Sequence, residues 1–209
     1  MRKVVSALIH GETDADELLL LVHKRIRNKH TDRIIRDSLI GVISVADRDM
    51  LHMDMQEVEL FESQIEECKN RMLSICQEHY QTEMQLPETI PGIKAQSAMS
   101  IISEAGVDMK AFLTASALVG WAGLRPRNDE SAGKIKARKT LHGNKYLRVM
   151  PVQCAWGASR TKESKFYSRY NTFRKRMNHN KALVANARKL LVIIWNILEK
   201  KQSYTPLAA

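Results

Sequence analysis

One loop of this 209-residue chain gathers the side chains that could hold a phosphate group. It runs from residue 123 to residue 148, has glycines at positions 133 and 143, and carries Ser131 near its centre. Its basic residues are Arg125, Arg127, Lys134, Lys136, Arg138, Lys139, Lys145 and Arg148. A basic loop interrupted by glycine can follow a phosphate backbone closely, since glycine lets the main chain approach its ligand. By itself, a loop serine is typical of a solvated residue or a helix cap.

The positive charge of the chain is concentrated around this loop. Residues 121–181 hold 16 Lys and Arg against three Asp and Glu, whereas residues 1–120 carry a net charge of −6 and residues 182–209 a net charge of +3. The formal total is +10. Such a density favours DNA or RNA as the partner, because each phosphate that is neutralised releases condensed counterions. The alternative is a solvated basic face that serves solubility alone.

The composition excludes several classes of protein. Hydrophobic residues make up 44% of the chain and charged residues 27%, which is typical of a globular protein and not of a disordered one. No apolar run approaches the roughly 20 residues of a membrane span, and no signal peptide is recognisable. The three cysteines, Cys68, Cys76 and Cys154, form no Cys-x-x-Cys pair. We therefore expect a reduced cytoplasmic protein without a disulfide framework or a structural zinc site.

The first third of the chain predicts helices. Residues 14–30 suit a helix that Thr13 or Asp14 caps, with acidic residues in its first turn and basic residues in its last. Residues 32–45 continue in helical style. A seven-residue repeat follows in two rows, Leu51, Val58, Ile65 and Met72, then Phe61, Cys68 and Ile75. This repeat predicts a coiled coil of about three heptads, within the chain or between subunits. The alternative is one amphipathic helix packed on a globular core.

A proline-rich segment interrupts this pattern. Pro87 and the Pro91-Gly92 pair are expected to end the long helix. The turn at residues 91–93 then opens a helix that Gly106 stops, with Ile93, Ala98, Ile101, Ile102 and Ala105 as its apolar residues. The segment is similar to half of a helix-hairpin-helix element, which presents turn amides to a DNA phosphate. Lys94 stands where such a turn usually has its second glycine, and a plain helix start remains the alternative.

Helices are also expected after this element, and no strand is. They cover residues 114–122, residues 145–160 and residues 182–201, the last of which is apolar nearly all round and should lie in the core. In the second of them we expect Leu147, Val152, Ala155 and Trp156 to point inward. Between the last two helices, Phe166, Tyr167, Tyr170 and Phe173 interleave with Arg169, Arg174, Lys175 and Arg176. This segment could stack nucleic-acid bases, but the helical spacing favours a packing stripe with a basic outer face.

Several sequence blocks, taken in order, carry a family likeness. They are IPGI (90–93), VGWAGLRPRNDESAGK (119–134), HGNKYLRVMPVQCAW (142–156) and KALVANARKLLVIIWNILEK (181–200), with Tyr204 close behind. They resemble the C-terminal domain of the insertion-sequence transposases of the IS-one-ten type, which are related to the Piv DNA invertases. The segments MRKVVSALIHGETDADELL (1–19) and HMDMQEVELFESQIEE (52–67) resemble the helical linker of the same family.

The resemblance implies an all-α chain with two parts. Residues 1–85 would form a helical linker and coiled-coil arm, and residues 86–209 a compact helical transposase domain with a helix-hairpin-helix-like element. The implied function is that of a DNA transposase or site-specific recombinase. Its partners would be the DNA of the element ends and target, a guide RNA, and further copies of the chain through the coiled coil, with no membrane.

The resemblance also implies the site residues. Ser131 matches the proposed serine nucleophile, in a segment where the family typically reads Ser-Gly-Gly-Lys and this chain has Ala132 in place of the first glycine. Basic residues around such a serine could stabilise a pentavalent phosphate. The expected DNA-binding residues are Gly92, Lys94, Arg127, Lys134, Lys136, Arg138, Lys139, Asn144, Lys145 and Arg148.

In that family a RuvC-like domain with four metal-binding acidic residues precedes the linker. The acids near the start of this chain, such as Asp14, Asp16 and Asp54, match no such motif. We therefore expect a truncated form that binds no metal or cofactor of its own, with Mg²⁺ needed only by the N-terminal domain, and that does not complete recombination unaided. The alternative function is a non-catalytic DNA- or RNA-binding remnant or regulator that oligomerises with a full-length transposase.

Overall fold

The computed structural model describes residues 2–127, 129–131, 134–137 and 140–206, and within residues 129–131 and 134–137 it describes the backbone alone. Eleven α-helices occupy most of this part of the chain, together with two short strands. The all-α class is therefore confirmed. The chain divides into two compact units, Met1–Lys69 and Asn70–Ala209, and the expected boundary between residues 85 and 86 lies inside a helix of the second. In the described parts, no helix has both the length and the hydropathy of a membrane span.

The first unit contains four short helices and the beginning of a long one. They are α1 (Arg2–Ile9), α2 (Ala15–Leu21), α3 (Lys24–Arg27), α4 (Asp32–Leu39) and α5 (Val45–His79). A small apolar cluster of Val4, Leu18, Val22 and Ile35 holds the unit together. Arg36 on α4 also donates two hydrogen bonds, of 2.5 and 3.0 Å, to the carboxylate of Asp16 on α2. This pair lowers the pKa of Asp16.

The prediction of one continuous helix over residues 14–30 is wrong, because two helices occupy this segment. Asp14 caps the first of them, α2, by accepting a hydrogen bond from the Asp16 amide at 2.8 Å. Helix α2 ends at Leu21, because Val22 and His23 are both extended. Burial of Val22 in the apolar cluster accompanies this break, and the ring of His23 accepts a hydrogen bond from the Arg25 amide, so that it caps the next helix.

The long helix α5 has 35 residues and a well-formed start. The amide and hydroxyl of Ser44 both donate to the carboxylate of Asp47, and the Asp47 amide donates back to the Ser44 hydroxyl at 3.1 Å. This reciprocal pair is a capping box. The expectation that Pro87 ends the helix is wrong, because α5 stops at His79, where Tyr80 leaves the helical conformation (φ −134°, ψ 33°).

The second unit begins with the last turns of α5 and is organised around its C-terminal helix. Its other elements are α6 (Gln81–Glu88), α7 (Ala95–Ala105), a 3₁₀ turn (Met109–Ala111), α8 (Ala115–Trp121), the strands β1 (Asp129–Ser131) and β2 (Lys134–Ala137), α9 (Lys145–Ala158), α10 (Lys165–Arg174) and α11 (His179–Lys200). Helix α11 packs against α6, α8, α9 and α10. Its residues Leu190, Leu191 and Ile194 are fully buried, which confirms the expectation of a core helix.

The helices on either side of the basic loop are also as expected. Helix α7 buries four of the five expected apolar residues, Ala98, Ile101, Ile102 and Ala105, and Gly106 ends it with φ +75°. The fifth, Ile93, is buried in the turn before the helix. Helix α8 is capped by Thr114, whose hydroxyl accepts from the Ala117 amide at 3.2 Å. Helix α9 follows the loop and buries Leu147 and Ala155. The loop that carries Ser131 is therefore mounted between two helices of the core.

Candidate active site and nucleic-acid interface

A tight neck closes the loop between α8 and α9. The amide of Asn144 donates to the carbonyl of Trp121 at 2.8 Å, and the amide of Leu141 donates to the carbonyl of Arg125 at 3.1 Å. Gly123, with φ +65°, and Gly143 touch backbone to backbone. A Cβ atom on Gly143 would lie 2.3 Å from the nitrogen of Gly123 and 2.5 Å from the oxygen of Trp121. Only glycine fits there, so the neck brings the two ends of the loop together.

Arg148 ties the two sides of this neck. Its Nη1 donates to the carbonyl oxygen of Gly123 at 2.8 Å, and its Nη2 donates to the hydroxyl of Thr140 at 3.0 Å. Gly123 lies before the strands and Thr140 after them. The guanidinium is partly buried and is engaged on both sides. The structure therefore gives Arg148 a positioning role, and its contact with DNA stays a prediction.

The loop contains a β-hairpin, so the expectation that the chain has no strand is wrong. Strands β1 and β2 are antiparallel, with Glu130 opposite Ile135 and Ser131 opposite Lys134. The register is irregular between Asp129 and Glu130, and an isolated bridge joins Pro126 to Thr140 nearer the neck. Ser131 is thus the last residue of its strand and is paired in the backbone with Lys134.

Some of the expected site residues fall beyond what the structure describes. Arg138 and Lys139 lie outside the described residues, and the side chains of Ser131, Lys134 and Lys136 do so as well. Arg127 is exposed and lies two residues before the first residue of β1. The roles of these residues in catalysis and DNA binding stay predictions.

Asn144 has a structural role at the start of α9. Its side-chain oxygen accepts from the amides of Tyr146 and Leu147 at 2.9 and 3.0 Å, so it caps the helix. Its side-chain nitrogen donates to the carboxylate of Glu104 at 2.7 Å. The neighbouring Lys145 is exposed, and its ammonium lies 4.9 Å from the centroid of the Tyr146 ring. Of these two expected DNA-binding residues, Lys145 is therefore the exposed one, and the side chain of Asn144 is engaged in the scaffold.

The turn between α6 and α7 packs closely on α9. Gly92 has φ +88°, and a Cβ atom there would lie 2.5 Å from the carbonyl oxygen of Cys154 and 2.6 Å from the nitrogen of Ala158. The glycine is thus required for the approach of two backbones. Lys94 is exposed and directly precedes the first residue of α7. Two helices joined by a short turn are present, and DNA binding by this turn stays a prediction.

The prediction that Trp156 points into the core is wrong. Its side chain is 45% exposed, and the guanidinium carbon of Arg160 lies 3.8 Å from its ring centroid. The cause is helical geometry, because nine residues separate Trp156 from the buried Leu147, which turns the helix by about 180°. Val152, on the same expected list, is half-buried. Strict periodicity measured from Leu147 could have identified Trp156 as exposed.

The aromatic residues of α10 form a packing stripe with a basic outer face, as the sequence analysis favoured over a base-stacking segment. Phe166 is buried, and the other three rings are half-buried. The ring of Phe173 has Arg169 and Arg176 at 4.9 and 5.3 Å from its centroid. Burial lowers the pKa of Arg169, and the nearby charge of Arg188 lowers it further. The Phe173 ring is therefore already packed against arginine side chains.

No group of three or more His, Cys, Asp or Glu side chains comes together among the described residues in a way that could hold a metal ion. The Mg²⁺ that the family resemblance associates with an N-terminal domain thus finds no fitting set of ligands in the described part of this chain.

One segment of the chain matches a known protein family. None of the curated proteins matches the chain. The matched segment begins within α6, ends within α10, and contains the neck, the hairpin and α9. A transposase role and binding to DNA are the properties that this match supports. Residues 84–171 of the chain match the transposase IS116/IS110/IS902 family.

Proposed function

We propose that this chain takes part in the cleavage and exchange of DNA strands as a transposase, with the hydroxyl of Ser131 as the nucleophile toward a DNA phosphate. The observation that carries the proposal is the backbone register of the hairpin, in which Ser131 is paired with Lys134 inside the segment that matches the transposase family. The neck and Arg148 support it, because they fix the base of the hairpin to the helical core. A nucleophile gains most when the scaffold holds it in one position.

The chemistry requires a positive surround. A serine hydroxyl is a weak nucleophile at its free pKa and needs activation. Lys134, Lys136 and Arg127 would stabilise the charge that develops on the pentavalent phosphate. As the bond from the Ser131 oxygen to phosphorus forms, the bond to one strand oxygen breaks. The serine proton passes to solvent, and the departing oxygen takes up a proton. A phosphodiester replaces a phosphodiester, so the strand can be rejoined.

The partners that we propose are the DNA of the element ends and target, a guide RNA, and a second copy of this chain. The apolar stripe of α5 supports the last of these. Val58, Phe61, Ile65, Met72 and Ile75 repeat along the helix and are between 39% and 56% exposed. Such a seam is stable when another helix covers it, as in a coiled coil.

The same stripe favours a second candidate function, a regulator that binds nucleic acid and pairs with a full-length transposase without cleaving DNA. The two functions differ in a covalent intermediate. Only a serine transposase forms a protein–DNA adduct that survives denaturation. Both would bind DNA with an affinity that falls steeply as the salt concentration rises. In a plot of the logarithm of the binding constant against the logarithm of the salt concentration, each phosphate contacted adds about −0.9 to the slope.

The test uses DNA from both sides of the coding sequence of the chain, RNA transcribed from it, and Mg²⁺. A labelled DNA strand should shift to an adduct on a denaturing gel, and Ser131→Ala should abolish the adduct while fluorescence anisotropy shows unchanged DNA binding. Ser168→Ala is the matched control, since Ser168 is an exposed serine of α10 in the same unit. Binding without any adduct from the unaltered chain would refute the enzyme and support the regulator.

A further inference from the structure

We propose that the outer face of α9 binds single-stranded nucleic acid by stacking unpaired bases on Trp156 and Tyr146. We define this outer face by four exposed residues of the helix, Lys145, Tyr146, Val149 and Trp156, together with the exposed Arg160 just after its end. The proposal rests on the proposed action of the chain on nucleic acid, and it assigns a surface and a class of ligand that the hairpin does not explain.

The first argument is the exposure of large aromatic side chains. Tyr146 is 64% exposed and Trp156 is 45% exposed, although both lie on a helix whose opposite side is buried in the core. Val149 lies between them along the helix and is also exposed. An exposed aromatic and apolar row on a folded unit is typical of a binding surface.

The second argument is the pairing of each aromatic ring with a cation. Arg160 stacks on Trp156 at 3.8 Å, and Lys145 lies 4.9 Å from the ring centroid of Tyr146. With Arg160 in place, nearly half of the Trp156 surface still faces solvent. An aromatic ring with a guanidinium on one side leaves its other side for a base, while the cation is available to the adjoining phosphate.

The charge of this face favours a polyanion over a second copy of the chain. Residues 145–162 contain four Lys and Arg and no Asp or Glu. The carboxylate of Glu104 on α7 accepts a hydrogen bond from the side chain of Asn144, the residue that caps α9. A second copy of this face would bring like charges together, which disfavours a symmetric contact through it.

Geometry favours a single strand over a duplex. Ten residues of helix separate Tyr146 from Trp156, a distance of about 15 Å. A strand that rises about 3.4 Å per nucleotide would span the two rings with roughly five nucleotides. In a duplex the bases are already stacked and would have to be unstacked before they reached the rings.

The α10 helix is a weaker candidate for base stacking. Its exposed surface is basic as well, but Phe173 is half-buried and has two arginines beside its ring. Phe173 therefore offers a base less accessible ring surface than Trp156, which is exposed and has one arginine beside it.

The experiment measures anisotropy of a labelled oligo-thymidine of about ten nucleotides and of a duplex of equal length. Trp156→Ala should weaken binding of the single strand by about 5- to 150-fold and leave the duplex affinity unchanged. Trp156→Phe should retain most of the affinity, because phenylalanine also stacks. Leu113→Ala is the matched control, since Leu113 is 91% exposed in the same unit and has no aromatic ring.

Three results would overturn the proposal. They are an unchanged single-strand affinity in Trp156→Ala, an equal loss of single-strand and duplex affinity, and a loss of self-association in sedimentation, which would make the face a contact between copies. Circular dichroism checks that the variant is folded. Because the readout is binding, a failure here is distinct from a failure of Ser131→Ala to abolish the DNA adduct.

Discussion

Replacing Gly143 with alanine should open the neck of the hairpin loop. The new Cβ atom would lie 2.3 Å from the nitrogen of Gly123 and 2.5 Å from the oxygen of Trp121. Both are backbone atoms in a segment fixed by helices, so neither can turn away as a flexible side chain would. Reaching ordinary contact requires a shift of about 1 Å. That shift would also lengthen the 2.8 Å hydrogen bond from Asn144 to Trp121.

The magnitude follows from these contacts. Overpacking of a tight site costs about 1–3 kcal/mol, and a weakened backbone hydrogen bond adds about 1 kcal/mol. A total of about 2–4 kcal/mol lowers the ratio of molecules with a closed neck to molecules with an open neck by about 30- to 800-fold. The yield of the Ser131 adduct should fall, with this factor as its upper limit. The helix content should be unchanged, because the altered contacts lie in the neck of the loop and not among the packed faces of the helices.

The assay combines adduct yield with hydrogen exchange at the amides of Leu141 and Asn144, which donate across the neck. Gly120→Ala is the matched control, because a Cβ there has no neighbour within 4 Å and the residue lies in α8. This control should be slightly more stable, by about 0.5–1 kcal/mol. Protection at both amides and full adduct yield in Gly143→Ala would refute the reasoning about the neck.

Two further predictions concern the helices. Ile65→Ser should weaken self-association about tenfold or more in sedimentation, because it removes apolar area from both partners. Ser63→Ala, outside the stripe, is its control, and a wild-type chain that stays monomeric would exclude the seam. Lys201 lowers the pKa of Glu83, which it contacts through a hydrogen bond between α6 and the end of α11. Glu83→Gln should therefore lower the free energy of unfolding, measured with urea at neutral pH, by about 1 kcal/mol. This difference should vanish as the pH falls below 4.5 and through the lowered pKa. A difference that persists in acid would contradict the pairing.

Local sequence signals predicted much of the fold. Asp14 caps its helix as expected, and Gly106 ends α7 as expected. The apolar run of α11 identified the core helix. These features depend on side chains and main-chain groups that are close in sequence, or on a strong periodic pattern, so the sequence carries them directly.

Other features depend on contacts between distant residues, and the sequence did not predict them. Strand β1 consists of Asp, Glu and Ser, which have little preference for strands. Its hairpin accompanies the closure of the neck, where Gly123 meets Gly143 and Arg148 joins the two sides. The break at Tyr80 likewise has no proline or glycine to mark it. Trp156 was misplaced for a different reason, because its apolar character was weighed above its helical position.

The candidate site was predicted in part. Sequence reasoning selected the basic loop and Ser131, and it included Arg148 as a contact with DNA. The two hydrogen bonds of Arg148 show a positioning role that charge alone could not indicate. Asn144 is similar, since its side chain caps α9 and holds Glu104. A residue that is basic or polar can serve the scaffold or the ligand, and only its hydrogen-bond partners distinguish the two.

The central claim is that Ser131 attacks a DNA phosphate, and mass spectrometry tests it most directly. The chain is incubated with its flanking DNA, the RNA transcribed from it and Mg²⁺, then digested with protease and nuclease. The account predicts a peptide from the β1–β2 hairpin that carries a nucleotide through a phosphodiester on Ser131. A nucleotide linked to any other residue, or DNA that is bound and cleaved with no nucleotide on Ser131, would contradict it.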